Sequence, residues 1–189
     1  REPSSVAELE RVLVDRDRIA ARVAELATEV ERELAAIESR RGEPLELVFL
    51  PVMTGAMIFV ADLIRCLPRR MRIHPITASS YPGKATRSVG EVTVSGVPGD
   101  LSNRDVLLVD DILDSGRTLS VLQAAIRAQS PRSLRTCVLL RKDVARAAEA
   151  DCDFVGFEIP DAFVVGYGLD HDGLHRNLPD IGVLGADGR

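Results

Sequence analysis

Two adjacent carboxylates, Asp110 and Asp111, follow the apolar run Val106–Val109 and precede a short polar loop, Asp114–Thr118. A continuously apolar run is typical of a central strand in a parallel sheet, buried on both faces. Acids at the end of such a strand lie at the carboxyl edge of the sheet, where open α/β folds bind ligands. The loop leads into a helical pattern, and backbone amides at the start of a helix bind anions. Acids beside an anion site favour a phosphorylated sugar as ligand, alone or with a metal ion.

The loop after the acid pair does not have the spacing of a nucleotide-triphosphate P-loop. The pattern G-x-x-x-x-G-K-[ST] is absent from this region, which disfavours ATP hydrolysis. The predicted anion-binding positions of the loop are Ser115, Gly116, Arg117 and Thr118. We call these four residues the phosphate loop. Gly116 permits a close approach of the backbone to a ligand.

The composition limits the classes of partner. A net charge of −5 over 189 residues argues against a nucleic-acid partner, because phosphate backbones require clustered Lys and Arg. No uncharged apolar run approaches the roughly 18 residues of a membrane span, so no membrane partner is expected. Cys66, Cys137 and Cys152 are odd in number and widely spaced. This pattern fits neither a disulfide framework nor a zinc site and favours a cytoplasmic location.

The elements that must position these residues alternate along the chain. Apolar positions recur every three or four residues from Asp17 to Gly42, which predicts a long amphipathic helix. The predicted strands are 45–52, 72–77, 91–95, 106–109, 134–140 and 154–159, with helices at 55–67 and 118–129. This alternation predicts one α/β domain over residues 1–189.

Several segments together resemble one protein family. Val106–Thr118 resembles the phosphoribosyl pyrophosphate (PRPP) signature of type I phosphoribosyltransferases. Phe154–Asp161, Phe163–Asp170 and Arg176–Pro179 resemble the C-terminal part of the hypoxanthine–guanine branch, and Thr77–Tyr81 resembles the start of its mobile loop. The resemblance implies the type I phosphoribosyltransferase fold, in which a central parallel sheet is flanked by helices and carries a small C-terminal hood.

The resemblance also implies an organisation and an activity. Residues 1–16 would be an N-terminal extension, 79–90 the mobile active-site loop and 160–184 the hood that binds the purine. The implied reaction is Mg²⁺-dependent transfer of phosphoribose from PRPP to hypoxanthine or guanine, giving IMP or GMP and pyrophosphate in purine salvage. A homodimer or homotetramer is the implied assembly.

The sugar and phosphate contacts implied by the resemblance begin with the acid pair. Asp110 and Asp111 would hold the ribose hydroxyls, partly through Mg²⁺, and Asp170 would be a further magnesium ligand. Hard cations prefer such carboxylate oxygens together with substrate oxygens. The phosphate loop would bind the 5′-phosphate.

The purine contacts implied by the resemblance lie at four positions. Asp114 would be the general acid or base near N7 of the purine, and Lys142 would donate to O6. An ammonium only donates hydrogen bonds, so it favours a 6-oxo group over a 6-amino group. Phe163 would stack on the base, and the main chain of Val164 would contact its edge.

The pyrophosphate turn and the lid complete the implied site. Thr54 and Gly55 match the turn that binds pyrophosphate, and Arg176 matches a further pyrophosphate contact. Many relatives carry a basic residue where this chain has Thr54, which leaves more of the charge to Arg176 or to a metal ion. Ser80 and Tyr81 would belong to a lid that excludes water from the reacting atoms.

Two other readings of the chain stay open at this point. A PRPP-sensing regulator that binds nucleic acid would keep the same ligand site but would need a basic surface. A signalling receiver domain would share the acidic strand but needs another acid at a later strand end, and Asp153 instead precedes an apolar run. His171 and His175 have the spacing of a helical metal pair, but Gly173 between them favours exposed loop histidines.

Overall fold

The computed structural model describes residues 9–80, 92–145 and 151–185 of the chain. Strands and helices alternate in the first part of the chain, as the sequence predicts, and later strands follow one another in runs. Their bounds are β1 (Leu9–Val14), α1 (Arg16–Arg41), β2 (Leu47–Met53), α2 (Met57–Cys66), β3 (Arg72–Ile73), β4 (Ile76–Ser80), β5 (Val92–Ser95), β6 (Asp105–Leu113), α3 (Arg117–Arg127), β7 (Ser133–Lys142), β8 (Phe154–Ile159), β9 (Val164–Val165) and β10 (Ile181–Leu184).

The main sheet has the strand order β5-β4-β2-β6-β7-β8, and β3 also pairs with β2. Its pairs are parallel except for β4 with β5, which is antiparallel. The predicted α/β fold class is therefore confirmed, as a mixed and mostly parallel sheet. Strand β6, which carries the acid pair, lies between β2 and β7, and this central place explains why its residues Val106–Val109 are apolar.

Helices cover both faces of the sheet. Helix α1 begins after Asp15, whose carboxylate accepts hydrogen bonds from the amides of Asp17 and Arg18. It packs against α2 and β8 on one face. Helix α3 covers the other face, where its Leu122 and Ile126 are buried with Leu108. Within the described ranges, no helix combines the length and apolarity needed to cross a membrane.

A second, smaller sheet has the order β1-β10-β9 and is antiparallel. Strand β1 lies inside the segment expected to be an N-terminal extension, and it pairs with β10 from the end of the chain. Both ends of the described chain therefore contribute to the hood.

Strand β6 is longer than its apolar run. It continues to Leu113, because its pairing with β7 extends to Leu113 opposite Arg141. Asp110 and Asp111 therefore lie within the strand and not after it. The predicted strand 72–77 is divided into β3 and β4. Tyr81, with most of the expected mobile loop, lies outside the described residues.

The first residue of β6 is a buried acid with several hydrogen-bond partners. Asp105 has no solvent exposure and pairs with Arg41 at 2.7 and 2.9 Å. The hydroxyl of Ser133 on β7 donates to the same carboxylate at 2.6 Å. A buried charge is tolerated only when it is paired and hydrogen-bonded. This cluster therefore fixes the end of α1 and the start of β7 against the start of β6. It thereby helps to set the position of the acid pair further along β6.

Candidate active site

A cleft of about 830 Å³ opens at the carboxyl edge of the main sheet. Three parts of the chain form most of its wall: the end of β2 with the following turn, the end of β6 with the phosphate loop, and two residues of the hood. The lining residues are Val52–Gly55, Ala78, Val92, Asp110–Leu119, Asp170 and Arg176. The cleft thus lies where the fold class predicts a ligand.

The acid pair lies on the floor of this cleft. Asp110 is only 7% exposed, and its carboxylate accepts a hydrogen bond from the amide of Asp111 at 2.9 Å. Asp111 accepts in the same way from the amide of Ile112 at 2.8 Å. Burial and the neighbouring Asp111 carboxylate raise the pKa of Asp110 well above its ordinary value. Burial also raises the pKa of Asp111. A cation or hydroxyl donors in the cleft would relieve this cost of placing two acids together.

The turn after β2 packs directly on the acid pair. The peptide bond between Met53 and Thr54 is cis. A side chain at Gly55 would occupy the space of the Asp111 carboxylate, and one at Gly168 would lie 2.2 Å from the carbonyl oxygen of Gly55. Gly168 has a φ of 103°, a conformation that side chains rarely adopt. The turn is therefore clamped between the acid pair and the hood.

The phosphate loop begins helix α3. Gly116 is the residue before the helix, with a φ of 75°, and no side chain caps the helix there. Its carbonyl oxygen accepts hydrogen bonds from the amide and the hydroxyl of Ser120. Because the first turn carries no acidic residue, its amides and the positive end of the helix dipole favour an anion in the cleft.

The hood contributes a basic and an acidic residue that are paired with each other. Arg176 contacts Asp170 at 2.7 Å and donates a hydrogen bond to the carbonyl oxygen of Gly168 at 2.7 Å. The Asp170 carboxylate also accepts from the amide of Gly173 at 2.8 Å. The pair brings a cation to the wall of the cleft, where the Arg176 charge acts on Asp111 and opposes the rise of its pKa.

Lys142 is the last residue of β7 and lies between two carboxylates, which follow the neighbouring strands β6 and β8. Its Nζ is 3.1 Å from Asp114 and 3.2 Å from Asp161. The lysine side chain is 12% exposed, whereas the two acids are 62% and 67% exposed. Burial lowers the pKa of Lys142, but hydrogen bonds to both acids outweigh it and raise the pKa above its ordinary value. The ammonium is therefore held in its charged form.

Phe163 and Val164 follow this group in the chain. Phe163 is 42% exposed, and its ring meets the ring of His171 edge to face, with centroids 5.2 Å apart. Val164 is buried in β9. His171 and His175 lie in a loop, as expected, but both are half-buried. No group of three metal-binding side chains occurs among the described residues.

The structure gathers most of the predicted positions into or beside one cleft. Lys142 is not part of the lining but is joined to it through Asp114. Phe163 and Val164 lie outside the lining as well. Ser80 pairs with Val92, a lining residue, whereas Tyr81 falls outside the described part of the chain.

Sequence reasoning assigned no role to Asp161 or Gly168. Asp161 follows the end of β8, just as Asp114 follows the end of β6. A polar residue beyond a neighbouring parallel strand was therefore a usable signal. Gly168 carried no such signal, because its contact with Gly55 joins residues that are distant in the chain.

The hood is fixed to α2 by a polar contact. The hydroxyl of Tyr167 donates to the Asp62 carboxylate at 2.6 Å, and burial raises the pKa of Tyr167 far above its ordinary value. A hydrogen bond from a hydroxyl to a charged acceptor is among the stronger ones in proteins. The contact ties the segment that carries Gly168 and Asp170 to the body of the domain.

Comparison with known proteins agrees with this architecture. Residues 13–172 match the family model described as phosphoribosyl transferase domain. The chain is 43% identical to the hypoxanthine-guanine phosphoribosyltransferase of Mycobacterium avium over 178 residues, which is 94% of this chain and 86% of that protein. It is 40% identical to the enzyme of that name from Bacillus subtilis, covering 94% of each chain.

A solved structure extends the comparison to three dimensions. The hypoxanthine phosphoribosyltransferase of Staphylococcus aureus superposes with a TM-score of 0.86 at 33% identity, covering 98% of this chain and 97% of that one. Sequence and fold agree over nearly the full length of the chain. The chain therefore belongs to the hypoxanthine-guanine phosphoribosyltransferases, within the type I phosphoribosyltransferase family.

Proposed function

We propose that this chain transfers the phosphoribosyl group of PRPP to N9 of hypoxanthine or guanine, which gives IMP or GMP and releases pyrophosphate. The observation that carries the proposal is that the buried acid pair and the start of α3 line the same cleft. A ligand that fills both ends of this cleft carries a phosphate group and neighbouring hydroxyls. PRPP has both.

The phosphate loop and the acid pair would fix the ribose. The amides at the start of α3 would bind the 5′-phosphate, and Asp110 and Asp111 would hold the 2′- and 3′-hydroxyls. Holding both ends of the sugar places its anomeric carbon between the pyrophosphate turn and Asp114. Such positioning supplies much of the rate enhancement when little covalent chemistry is needed.

Backbone groups and cations would together stabilise the negative charge of the pyrophosphate leaving group. The backbone at Thr54 and Gly55 would contact the pyrophosphate, and Arg176 would supply the side-chain cation that Thr54 does not. Asp110, Asp111 and Asp170 are oxygen donors that line the same cleft, but the described side chains do not form a group of three that could hold a metal ion by themselves. Magnesium is usually held by few carboxylates together with substrate oxygens, so these acids would hold Mg²⁺ together with the oxygens of bound PRPP. When bound, the ion would neutralise charge on the pyrophosphate.

The purine would lie between Phe163 and the Lys142 ammonium. Lys142 would donate to O6, and Asp114 would take the proton from N7 as the N9 lone pair attacks the anomeric carbon. The transition state resembles an oxocarbenium ion, as in glycoside chemistry. A positioned carboxylate of this kind typically contributes about 10²–10⁴-fold in rate.

The test is an assay with PRPP, Mg²⁺ and one purine at a time, with nucleotide and pyrophosphate separated by chromatography. We expect nucleotide from hypoxanthine and guanine, with adenine at least ~100-fold poorer because O6 recognition by a donor excludes a 6-amino group. Absence of nucleotide from both 6-oxopurines would refute the proposal. Chelation of divalent ions by EDTA should abolish turnover, and added Mg²⁺ should restore it.

Two further properties belong to the same proposal. We place the reaction in the cytoplasm, which is supported by three free cysteines that form no disulfide framework. We also propose a homodimer or homotetramer, which light scattering after size-exclusion chromatography would test directly.

A further inference from the structure

Three parallel strands end side by side in an acid–base–acid row. Lys142 is the last residue of β7, Asp114 directly follows β6, and Asp161 follows β8 after one proline. The register places Leu113 opposite Arg141 and Lys142 opposite Ile159. Because β7 is the middle strand, its lysine reaches both flanking acids at almost equal distances, 3.1 and 3.2 Å.

The burial of the three groups is unequal. The lysine side chain is almost covered, while both carboxylates are largely in water. A covered ammonium that loses its partners becomes an unpaired charge in a poorly solvated place, which is costly. Asp114 cannot be a permanent partner, because the proposed function requires its carboxylate at N7 of the purine. Asp161 has no such task and can stay on the ammonium.

We propose that Asp161 is a positioning residue that holds the Lys142 ammonium toward the 6-oxo group of the purine and remains its counter-ion when Asp114 turns to N7. This role rests on the proposed function. An ammonium has three N–H donors. Asp114 and Asp161 contact it in the described structure, and a third N–H would donate to O6.

The consequence of removing Asp161 follows from the geometry. Of the two acids that contact the ammonium in the described residues, only Asp114 would remain, and it would draw the ammonium toward β6, away from the purine. The same ion pair would occupy the carboxylate that must reach N7. When Asp161 is present, the ammonium is shared between two acids. No permanent Lys142–Asp114 pair then forms that would block O6 recognition or proton transfer.

Several charged groups of the described residues lie around Lys142. Asp114 faces it from the β6 side and Asp161 from the β8 side, and Asp143 follows it in the chain. Arg141 alternates to the other face of β7 and is paired with Glu158. Loss of Asp161 removes one of the two acids that raise the pKa of Lys142. Because burial lowers that pKa, the ammonium would lose its proton at a lower pH in the variant.

The experiment compares Asp161→Asn with the wild type in steady-state assays with hypoxanthine over a range of pH. We expect the KM for hypoxanthine to rise about tenfold, the size of one lost hydrogen bond to a charged group. We expect kcat to fall as well, because the remaining Lys142–Asp114 pair would hold the carboxylate that must reach N7. The KM for PRPP should stay constant, since neither the acid pair nor the phosphate loop is touched. The alkaline limb of kcat/KM should move to lower pH.

Matched variants separate positioning from general effects. Asp161→Glu keeps the charge and should recover most of the wild-type KM. Glu158→Gln removes an equal charge from the same strand edge, where the acid pairs with Arg141 instead, and it should behave as wild type. Thermal melting of each variant checks the fold, which is expected to survive because Asp161 is two-thirds exposed.

The outcomes distinguish this role from the proposed function. A wild-type protein that forms no IMP would refute the function and this role together. An active wild type with an unchanged KM and alkaline limb in Asp161→Asn would refute the role of Asp161 alone. Equal changes in Asp161→Asn and Glu158→Gln would do the same, because they would reflect surface charge and not the placement of Lys142.

Discussion

The backbone of Gly55 lies so close to Asp111 that an added β-carbon would be 1.8 Å from a carboxylate oxygen. The pyrophosphate turn and the acid pair come from different strands, β2 and β6, which are adjacent and parallel. Their contact couples the two ends of the proposed PRPP site. A change on one side must displace the other.

Gly55→Ala is the direct test of this contact. The methyl group would force the Asp111 carboxylate out of its place, and displacements of about 1 Å in a catalytic site cost about 100-fold in activity. We expect kcat/KM for PRPP to fall by about this factor. The control is Gly99→Ala, since a β-carbon there has no neighbour within 4 Å. Equal activities of the two variants would contradict the coupling.

Asp114→Asn tests the acid–base role. The amide keeps the shape of the side chain but cannot take the proton from N7, so kcat should fall by about 100-fold or more. The KM for PRPP should change little, because the sugar and phosphate contacts are made by other residues. Asp143→Asn removes an exposed acid next to Lys142 and serves as the control. A kcat in Asp114→Asn within a few fold of wild type would exclude general acid–base catalysis by Asp114.

Phe163→Leu tests the purine contact. The exposed ring can stack on a base, and such contacts are worth about 0.5–1.5 kcal/mol beyond burial. We expect the KM for hypoxanthine to rise by roughly 2- to 13-fold, which is the same energy expressed as a ratio. The melting temperature should change little, since the ring is 42% exposed. Leu174→Ala, at a position 63% exposed in the hood, should leave the KM unaltered.

Arg69→Met tests an ionic clamp on helix α1. Arg69 contacts Glu31 at 2.6 Å and Glu38 at 3.0 Å. Its hydrogen bond, with that of the Leu45 amide, lowers the pKa of Glu38 below its ordinary 4.5. The resulting stability is therefore present above that value and is lost as the pH falls through the lowered pKa.

We expect Arg69→Met to reduce the free energy of unfolding at neutral pH by about 2 kcal/mol. Its stability should also decline less steeply than that of the wild type when the pH falls below about 4.5. Urea unfolding at a series of pH values measures both effects. Arg70→Met, at an exposed neighbouring position, is the control. Parallel pH profiles for Arg69→Met and the wild type would show that the clamp does not contribute.

The order of strands and helices could be predicted from the sequence because each element has its own local pattern of apolar residues. The apolar run before Asp110 predicted a central strand, and the periodicity from Asp17 predicted α1 to within one residue. The sequence also predicted the class of ligand, because two acids followed by Ser115–Thr118 are compatible with few kinds of binding site. Prediction was weaker where pairing with a neighbour decides the outcome. Strand β6 continues through both acids because β7 pairs with it.

The sequence alone therefore determined the α/β fold, the carboxyl edge that binds the ligand and most of the residues that line the cleft. Only the tertiary structure decided which distant residues touch: Gly168 against Gly55, Arg176 on Asp170, and Asp161 on the far side of Lys142. The reason is physical. Propensity and hydrophobic period act between residues close in the chain, whereas contacts at a sheet edge depend on strand order and register, which the whole packed domain sets.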